Sequence, residues 1–235
     1  MNEKEKKKTR MFRSVNGTWN PVIGCTHKCK YCWARRLVET KLYKTSCKDC
    51  ASFNVHTHLD RLIKKRRTIL VCSMGDLFCK GCPDQYIRAV LDIIRVHSNR
   101  DFILCTKNPA RYEDFIKMVP DNCILGTTIE TNNDNLVREW SEAPPPTERH
   151  KVMARLRFKR KFLSIEPIME FDMKVLIKWV KEIHPITCEV GYNNYPMFRL
   201  PEPTLEKTRE LIENIQKLGV SVREKTIRKA WSEKE

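Results

Sequence analysis

The 235-residue chain predicts an α/β fold of parallel strands, because short β-branched runs alternate with amphipathic stretches along most of its length. Runs such as Thr68-Ile69-Leu70-Val71-Cys72 and Cys123-Ile124-Leu125-Gly126-Thr127-Thr128-Ile129 are nearly all apolar, as strands covered on both faces are. Polar residues close each run, and parallel α/β folds gather function where strands end and loops begin. The length suits one domain with a core large enough to fold alone.

Residues 1–14 read as a basic flexible tail ahead of one domain over 15–235. Thr18-Trp19-Asn20-Pro21-Val22-Ile23-Gly24 is a short apolar run in which Val22-Ile23 ends a first strand, and Gly24 lets the chain turn. Trp33 to Tyr43 has helical composition, with Ala34, Leu37, Val38 and Leu42 on one stripe. An insertion over 45–66 follows. Thr68–Cys72 is the second strand, ending in Ser73-Met74-Gly75-Asp76 before a helix from Pro83 to His97. Asp101-Phe102-Ile103-Leu104-Cys105 repeats the pattern, with Thr106-Lys107-Asn108-Pro109 opening a helix to Met118. Cys123–Ile129 is the fourth strand, with Glu130 just past it, and Phe162-Leu163-Ser164-Ile165 the fifth, with Glu166-Pro167 at its end. The stretch 142–161, with Pro144-Pro145-Pro146, reads as an irregular basic loop. Phe171–Ile183 is a helix, Ile186–Val190 a sixth strand, Thr204–Leu218 its helix, and Val220-Ser221-Val222 a closing strand. About six strand–helix units are too few for a complete eight-fold barrel.

Lys and Arg total 45 against 29 Asp and Glu, a net charge of +16. The excess is concentrated in Arg61–Arg67, with five cations and no acid, and in Arg149–Lys161, with seven and no acid. Clusters of that kind suit a nucleic-acid backbone. A lysine-rich surface serving stability is the plainer account, but such surfaces usually balance Lys with Glu. No run of eighteen apolar residues argues for a membrane span, and the charged N-terminus lacks the apolar segment of a secretory signal, so a cytoplasmic protein is expected. Eleven cysteines in that compartment point to metal or redox chemistry rather than disulfides.

The cysteines fall into groups. Cys25, Cys29 and Cys32, spaced by three and then two residues, suit the thiolate ligation of one [4Fe-4S] cluster that lacks a fourth protein ligand. A zinc site completed by His27, or ordinary buried thiols, are the alternatives. Two C-x-x-C pairs, Cys47/Cys50 and Cys79/Cys82, are a further metal signal, for structural zinc or an auxiliary Fe–S cluster, or are unliganded thiols. His56 and His58 lie between the pairs and read as polar loop residues or as contributors to such a site. Cys72, Cys105, Cys123 and Cys188 fall on strands and read as core thiols.

The pattern C-x-x-x-C-x-aromatic-C resembles the signature of the radical S-adenosylmethionine (SAM) enzymes. With Thr18-Trp19-Asn20-Pro21 before it, and Ser73-Met74-Gly75-Asp76-Leu77-Phe78, Thr106-Lys107-Asn108-Pro109, Leu125-Gly126-Thr127-Thr128-Ile129-Glu130 and Leu163-Ser164-Ile165-Glu166-Pro167 after it, the chain is similar to a small radical SAM-like family of prokaryotes and phages whose reaction is unassigned. Beyond Pro167 the similarity thins: the family's Gly-Gly-Glu-Ser segment is replaced by Gly191-Tyr192-Asn193-Asn194, and contacts made by that segment do not carry over.

The resemblance implies a partial (β/α)6 TIM-like barrel with the [4Fe-4S] cluster on Cys25, Cys29 and Cys32 at the strand C-terminal ends. S-adenosyl-L-methionine on the open iron would be cleaved reductively to a radical that abstracts hydrogen from substrate, with ferredoxin or flavodoxin as electron donor. Tyr31 would lie near adenine, Gly75 and Asp76 near the methionyl amino group, and Lys107, Glu130 and Glu166 would hold SAM's carboxylate, ribose and amino group. Strand-end residues of this kind also serve as helix caps and surface ion pairs. The substrate class the charge favours is nucleic acid, RNA or DNA. A peptide or protein substrate, and a non-enzymatic zinc-dependent nucleic-acid binder, are the alternatives.

Overall fold

The computed structural model describes residues 12–42, 47–60, 63 and 67–234. Seven parallel strands form one curled sheet, a half-barrel, in the order β1 (Gly17–Trp19), β4 (Thr68–Val71), β5 (Asp101–Thr106), β6 (Cys123–Thr128), β7 (Lys161–Ile165), β8 (Thr187–Val190) and β9 (Ser221–Glu224). The expected partial α/β barrel is therefore present, with the closing strand paired as a full member of the sheet.

Helices α3 (Asp84–Val96), α7 (Met173–Ile183) and α8 (Leu205–Lys217) cover the outer face. Each turns the same i, i+3, i+4, i+7 stripe inward: Ile87, Val90, Leu91, Ile94; Leu176, Trp179, Val180, Ile183; Thr208, Leu211, Ile212, Ile215. Burying such side chains contributes about 1.5–3 kcal/mol each. These helices pack against outward-facing strand residues that include Cys123 and Cys188.

The inner face follows the two-residue period of the strands. Leu70, Ile103, Ile124 and Phe162 form a separate inner cluster, and Phe12 closes it with its ring 5.1 Å from that of Phe162. Gly126 is required here, since a Cβ at that position would meet the Phe162 ring at 2.7 Å. The end of the segment read as a tail is anchored: the buried carboxylate of Glu189 accepts from the Arg13 and Ser14 amides, at 2.9 and 2.7 Å, and from the Ser14 hydroxyl.

Several expected boundaries shift for physical reasons. The first barrel strand is Gly17–Trp19, whereas Val22–Ile23 is a separate strand, β2, paired antiparallel with β3 (His56–Thr57). Pro21 has no N–H to donate to a ladder. Asn20 turns its side-chain carbonyl to the Met74 amide, at 3.0 Å. Helix α1 spans Trp33–Glu39, and Tyr43 lies outside the described residues. The helix expected before Met118 is broken into a 3₁₀ turn at Pro109–Arg111, α4 (Tyr112–Phe115) and a second 3₁₀ turn.

The stretch 142–161 is not an irregular loop. It contains α6 (Pro146–Arg155), begun by a proline whose fixed φ suits the first helical turn and anchored by buried Val152 and Met153. Its charges are largely used internally. Arg149 is fully buried, Arg155 pairs with Glu113, Arg160 with Asp101, and Lys161 donates to the Met153 carbonyl at 2.6 Å. Lys151, Arg157 and Lys159 are exposed cations of that segment without an ion pair among the described residues, and Arg155 is exposed in its pair with Glu113. In the other basic segment, Arg61, Lys64, Lys65 and Arg66 lie outside the described residues.

Candidate functional site

The cysteine loop is set by two glycines meeting face to face. Gly24, at φ 91°, bridges Gly75 at the end of β4; a Cβ on Gly75 would stand 2.6 Å from the Gly24 carbonyl, and one on Gly24 would stand 2.1 Å from the Asn54 carbonyl. Backbone bonds from Gly24 to Met74 and from Asp76 to Gly24 complete the contact. The loop then runs to Cys32, which caps α1.

All three sulfurs of the loop accept or share hydrogen bonds. Cys25 accepts from the His27 amide at 3.4 Å, Cys32 from the Arg35 amide at 3.4 Å, and Cys29 lies 3.1 Å from the Ser141 hydroxyl. Such bonds tune thiolate ligands of Fe–S clusters. Cys25, Cys29 and Cys32 are half-buried and line one cavity of ≈ 590 Å³ at the C-terminal ends of the strands.

Tyr31, Gly75, Asp76, Lys107 and Glu166 line the same cavity. Residues two apart at the ends of β5 and β7, Cys105 and Lys107, Ser164 and Glu166, line it together. Cys72 is a core thiol as expected and also reaches the cavity, whereas Cys105 is half-buried in the cavity wall. Ser164 Oγ is buried there without a hydrogen-bond partner, a polar atom turned toward whatever fills the space.

Asp76 is buried and accepts four hydrogen bonds, from the Thr106 hydroxyl, the Lys107 and Phe78 amides, each at 2.9 Å, and His27 Nε2 at 2.8 Å. Burial alone would raise its pKa, but the His27 ring and these donors hold it below the usual carboxylate value. Asp76 therefore staples the cysteine loop to the ends of β4 and β5, and His27 is committed to it rather than to the thiols. Asp76→Asn leaves an amide facing donors it cannot satisfy, and is expected to cost about 1–3 kcal/mol in urea unfolding. An unchanged midpoint would show that the four bonds do not matter to stability.

Glu130 was expected at the cavity but stands behind it. It is fully buried, with Oε2 accepting from Arg149 at 2.7 Å and Oε1 accepting from Lys107 and from the Tyr31 hydroxyl, the latter at 2.6 Å. Burial opposes its ionisation, yet Arg149 and Lys107 hold its pKa well below the ordinary carboxylate range. The reason for its retreat is Arg149, a buried cation that needs a counter-charge. Lys107 loses solvation by burial, but Cys29 and Glu130 more than offset this and raise its pKa. Its ammonium also lies 2.6 Å from the Tyr31 hydroxyl. Glu166 differs: burial raises its pKa, and Lys225, donating at 2.6 Å, compensates only in part.

The two C-x-x-C pairs do not meet. Cys79 is buried beside Cys25, with which it shares a hydrogen bond, and it is absent from the cavity lining; Cys82 is buried in the helix-side core. Their turn packs on the cysteine loop, since a Cβ on Gly81 would meet the Thr26 methyl at 2.4 Å. Cys47 and Cys50 instead gather with His56 and His58, their donor atoms all within 4.8 Å of one another. Among the described residues no other three Cys, His, Asp or Glu donors converge so closely.

Three thiols, the Lys107 ammonium, the Glu166 carboxyl and an unpartnered hydroxyl line one cavity, a donor set that would suit a [4Fe-4S] cluster with SAM beside it. Sequence reasoning offered His27 only as a zinc ligand, whereas its ring bonds to Asp76, and it missed Thr106, Ser164 and Lys225. Ser164 was within reach, because it shares the parity of Phe162 and Glu166. Lys225 carried no signal, since its strand is brought to Glu166 only by the curl of the sheet.

The sequence matches, over residues 11–197, the family described as "Protein of unknown function (DUF5131)". No curated protein matches. Among solved structures the chain resembles a cysteine-to-serine mutant of spore photoproduct lyase, at 10% identity and TM-score 0.61, covering 92% of this chain and 78% of that one. It resembles a radical SAM methyltransferase from Sphaerobacter thermophilus at 12% identity and TM-score 0.56, covering 87% of this chain and 64% of that one. Streptococcus suis SuiB bound to precursor peptide SuiA is similar at 12% identity and TM-score 0.55, with 88% of this chain and 48% of that one covered. The chain thus spans less than two thirds of the radical SAM methyltransferase and about half of SuiB. The likeness is one of fold, the α/β partial barrel of radical SAM proteins.

Proposed function

This chain belongs to the DUF5131 family, and from the cavity described above we propose that it is a radical SAM enzyme, with Cys25, Cys29 and Cys32 holding a [4Fe-4S] cluster, that modifies nucleic acid. The observation that carries the reading is the convergence of those three half-buried thiols with Lys107, Glu166 and the unpartnered Ser164 hydroxyl on one cavity at the strand ends. The bound cluster would supply one-electron reductive cleavage of SAM, fed by a ferredoxin or flavodoxin.

The chain's own groups bind and orient. Gly75 keeps the strand end open to close approach, and Asp76 fixes the loop that carries the thiols. Lys107, held charged between Glu130 and the Cys29 side, offers an ammonium to a ligand carboxylate. Glu166 and Ser164 offer hydrogen bonds from the same cavity lining. Phe12 and the inner apolar cluster exclude water from below.

The nucleic-acid part is supported by the mouth. Trp33, 37% exposed, lines it together with Arg36 and Tyr195, and the Arg36 guanidinium lies 6.0 Å from the centres of both the Tyr195 and Phe198 rings. Aromatic and guanidinium planes of this kind stack on bases, and the net charge of +16 favours a polyanion. Solved relatives of the fold include one bound to AdoMet and a dinucleoside photoproduct.

Anaerobic reconstitution with iron and sulfide, followed by dithionite and SAM, is expected to release methionine and 5′-deoxyadenosine. A loaded cluster that releases neither would overturn the enzymatic reading. RNA or DNA should be retained in a manner that weakens steeply with salt, because binding releases counterions. Crosslinking in extract that traps peptides instead would move the substrate to protein.

A further inference from the structure

We infer that Cys47, Cys50, His56 and His58 bind one tetrahedral divalent ion of the zinc class, and that this ion clamps the strand feeding the cysteine loop. Both spacings suit it. Cys47 caps the short helix α2 (Lys48–Ser52), and its sulfur accepts from the Cys50 amide at 3.3 Å, so both sulfurs of the C-x-x-C turn face one point. His56 and His58 are two apart along an extended segment, which puts both rings on the same side.

The four donors converge too tightly to be explained by pairwise hydrogen bonds. His56 Nε2 stands 3.0 Å from Cys50 Sγ, 3.5 Å from Cys47 Sγ and 2.9 Å from His58 Nε2, while His58 Nε2 stands 3.1 Å from Cys50 Sγ. The Asn54 carbonyl accepts from His56 Nδ1 at 2.7 Å, which leaves an unprotonated Nε2 turned to the centre in the neutral ring. A backbone carbonyl orienting the far nitrogen is the usual outer support of a metal-bound histidine. Two thiolates with two imidazoles favour zinc over the oxygen-seeking ions. Cys79, expected in the other half of the site, is held instead against Cys25 and Thr26, and Cys82 lies in the helix-side core.

The ion's place in the fold says what it does. Strand β3, which carries His56, pairs with β2 one residue before Gly24, and the Asn54 carbonyl lies against Gly24 itself. Phe53 packs with Ala34 and Val38 beside Cys25 and Cys32. A five-residue helix and a two-residue strand have little core of their own, so a metal staple is what gives them purchase on the loop.

The test is metal analysis with zinc-edge X-ray absorption on full-length protein purified without chelator. The expected result is one zinc per chain, with two sulfur scatterers near about 2.3 Å and two nitrogens near about 2.0–2.1 Å. Cys50→Ser and the double substitution His56→Ala, His58→Ala should lose the zinc and lower iron retention as well. The triple variant Cys25→Ala, Cys29→Ala, Cys32→Ala should keep its zinc, so failure of the radical SAM reading would leave this result standing. Wild-type protein without zinc, an all-sulfur shell, or zinc retained after Cys50→Ser would each overturn the assignment, and iron retained in full by the two zinc-free variants would remove the clamp. Because the wild-type spectrum needs no substitution, a variant that fails to fold leaves the proposal open to refutation.

Discussion

Replacing Cys29 by alanine is expected to remove iron from the anaerobically reconstituted protein and to reduce SAM cleavage to that of a protein-free blank. Cys25, Cys29 and Cys32 are the three thiols of the loop, and each lines the cavity. Loss of one leaves an iron of the cluster without its protein bond, and the cluster's retention is a binding free energy shared among its ligands. The matched control is Cys123→Ala. Cys123 is fully buried in the helix-side core, away from the cavity, and its removal should cost some stability while iron content and cleavage stay as in the wild type. Iron per chain and released 5′-deoxyadenosine, measured on the same preparations, check both. Equal loss from the two variants would mean that unfolding, not ligation, was being read.

Glu130→Gln should destabilise the protein by about 3–5 kcal/mol, because it leaves buried Arg149 and Lys107 without their counter-charge. For a domain of this size that corresponds to roughly 6–20 °C in Tm. The pH dependence has a definite sign. The folded-state pKa of Glu130 is depressed, so its contribution is fully present above the unfolded carboxyl value of about 4.3 and is lost as pH falls from there toward the folded value. The wild type should therefore lose stability more steeply than the Gln variant on acidification below about pH 5. Thermal unfolding across that range checks the claim; parallel curves for the two proteins would remove Glu130 from the account. The same substitution loosens Lys107, which shares Oε1 of Glu130 with the Tyr31 hydroxyl, so SAM affinity should fall in whatever fraction stays folded.

The legible parts of this protein were the periodic and the local ones. Apolar stripes on α3, α7 and α8 and the β-branched runs of β4 to β8 placed nearly every element, since 3.6- and two-residue periods are written in the chain itself. Val22–Ile23 was assigned to the wrong sheet because its partner, His56–Thr57, lies across an insertion. The segment 149–161 looked like a footprint for phosphate because charge counts ignore partners; Glu130, Glu113 and Asp101 stand far away in sequence and were invisible beside it. Glu130 looked like a ligand contact for the same reason, as its position at a strand end was readable and its two buried cations were not.

By itself the sequence determined a parallel α/β architecture, a three-cysteine loop between the first strand and the first helix, and the strand-end positions at which a site had to form. Only the tertiary structure decided which strand-end groups face the cavity, which are spent on one another, and that Cys47 and Cys50 join two histidines rather than Cys79 and Cys82. The division has one physical cause. Backbone periodicity and turn chemistry act between near neighbours, whereas burial, charge pairing and ligand convergence are set by residues that only the curl of the sheet brings within a few ångströms.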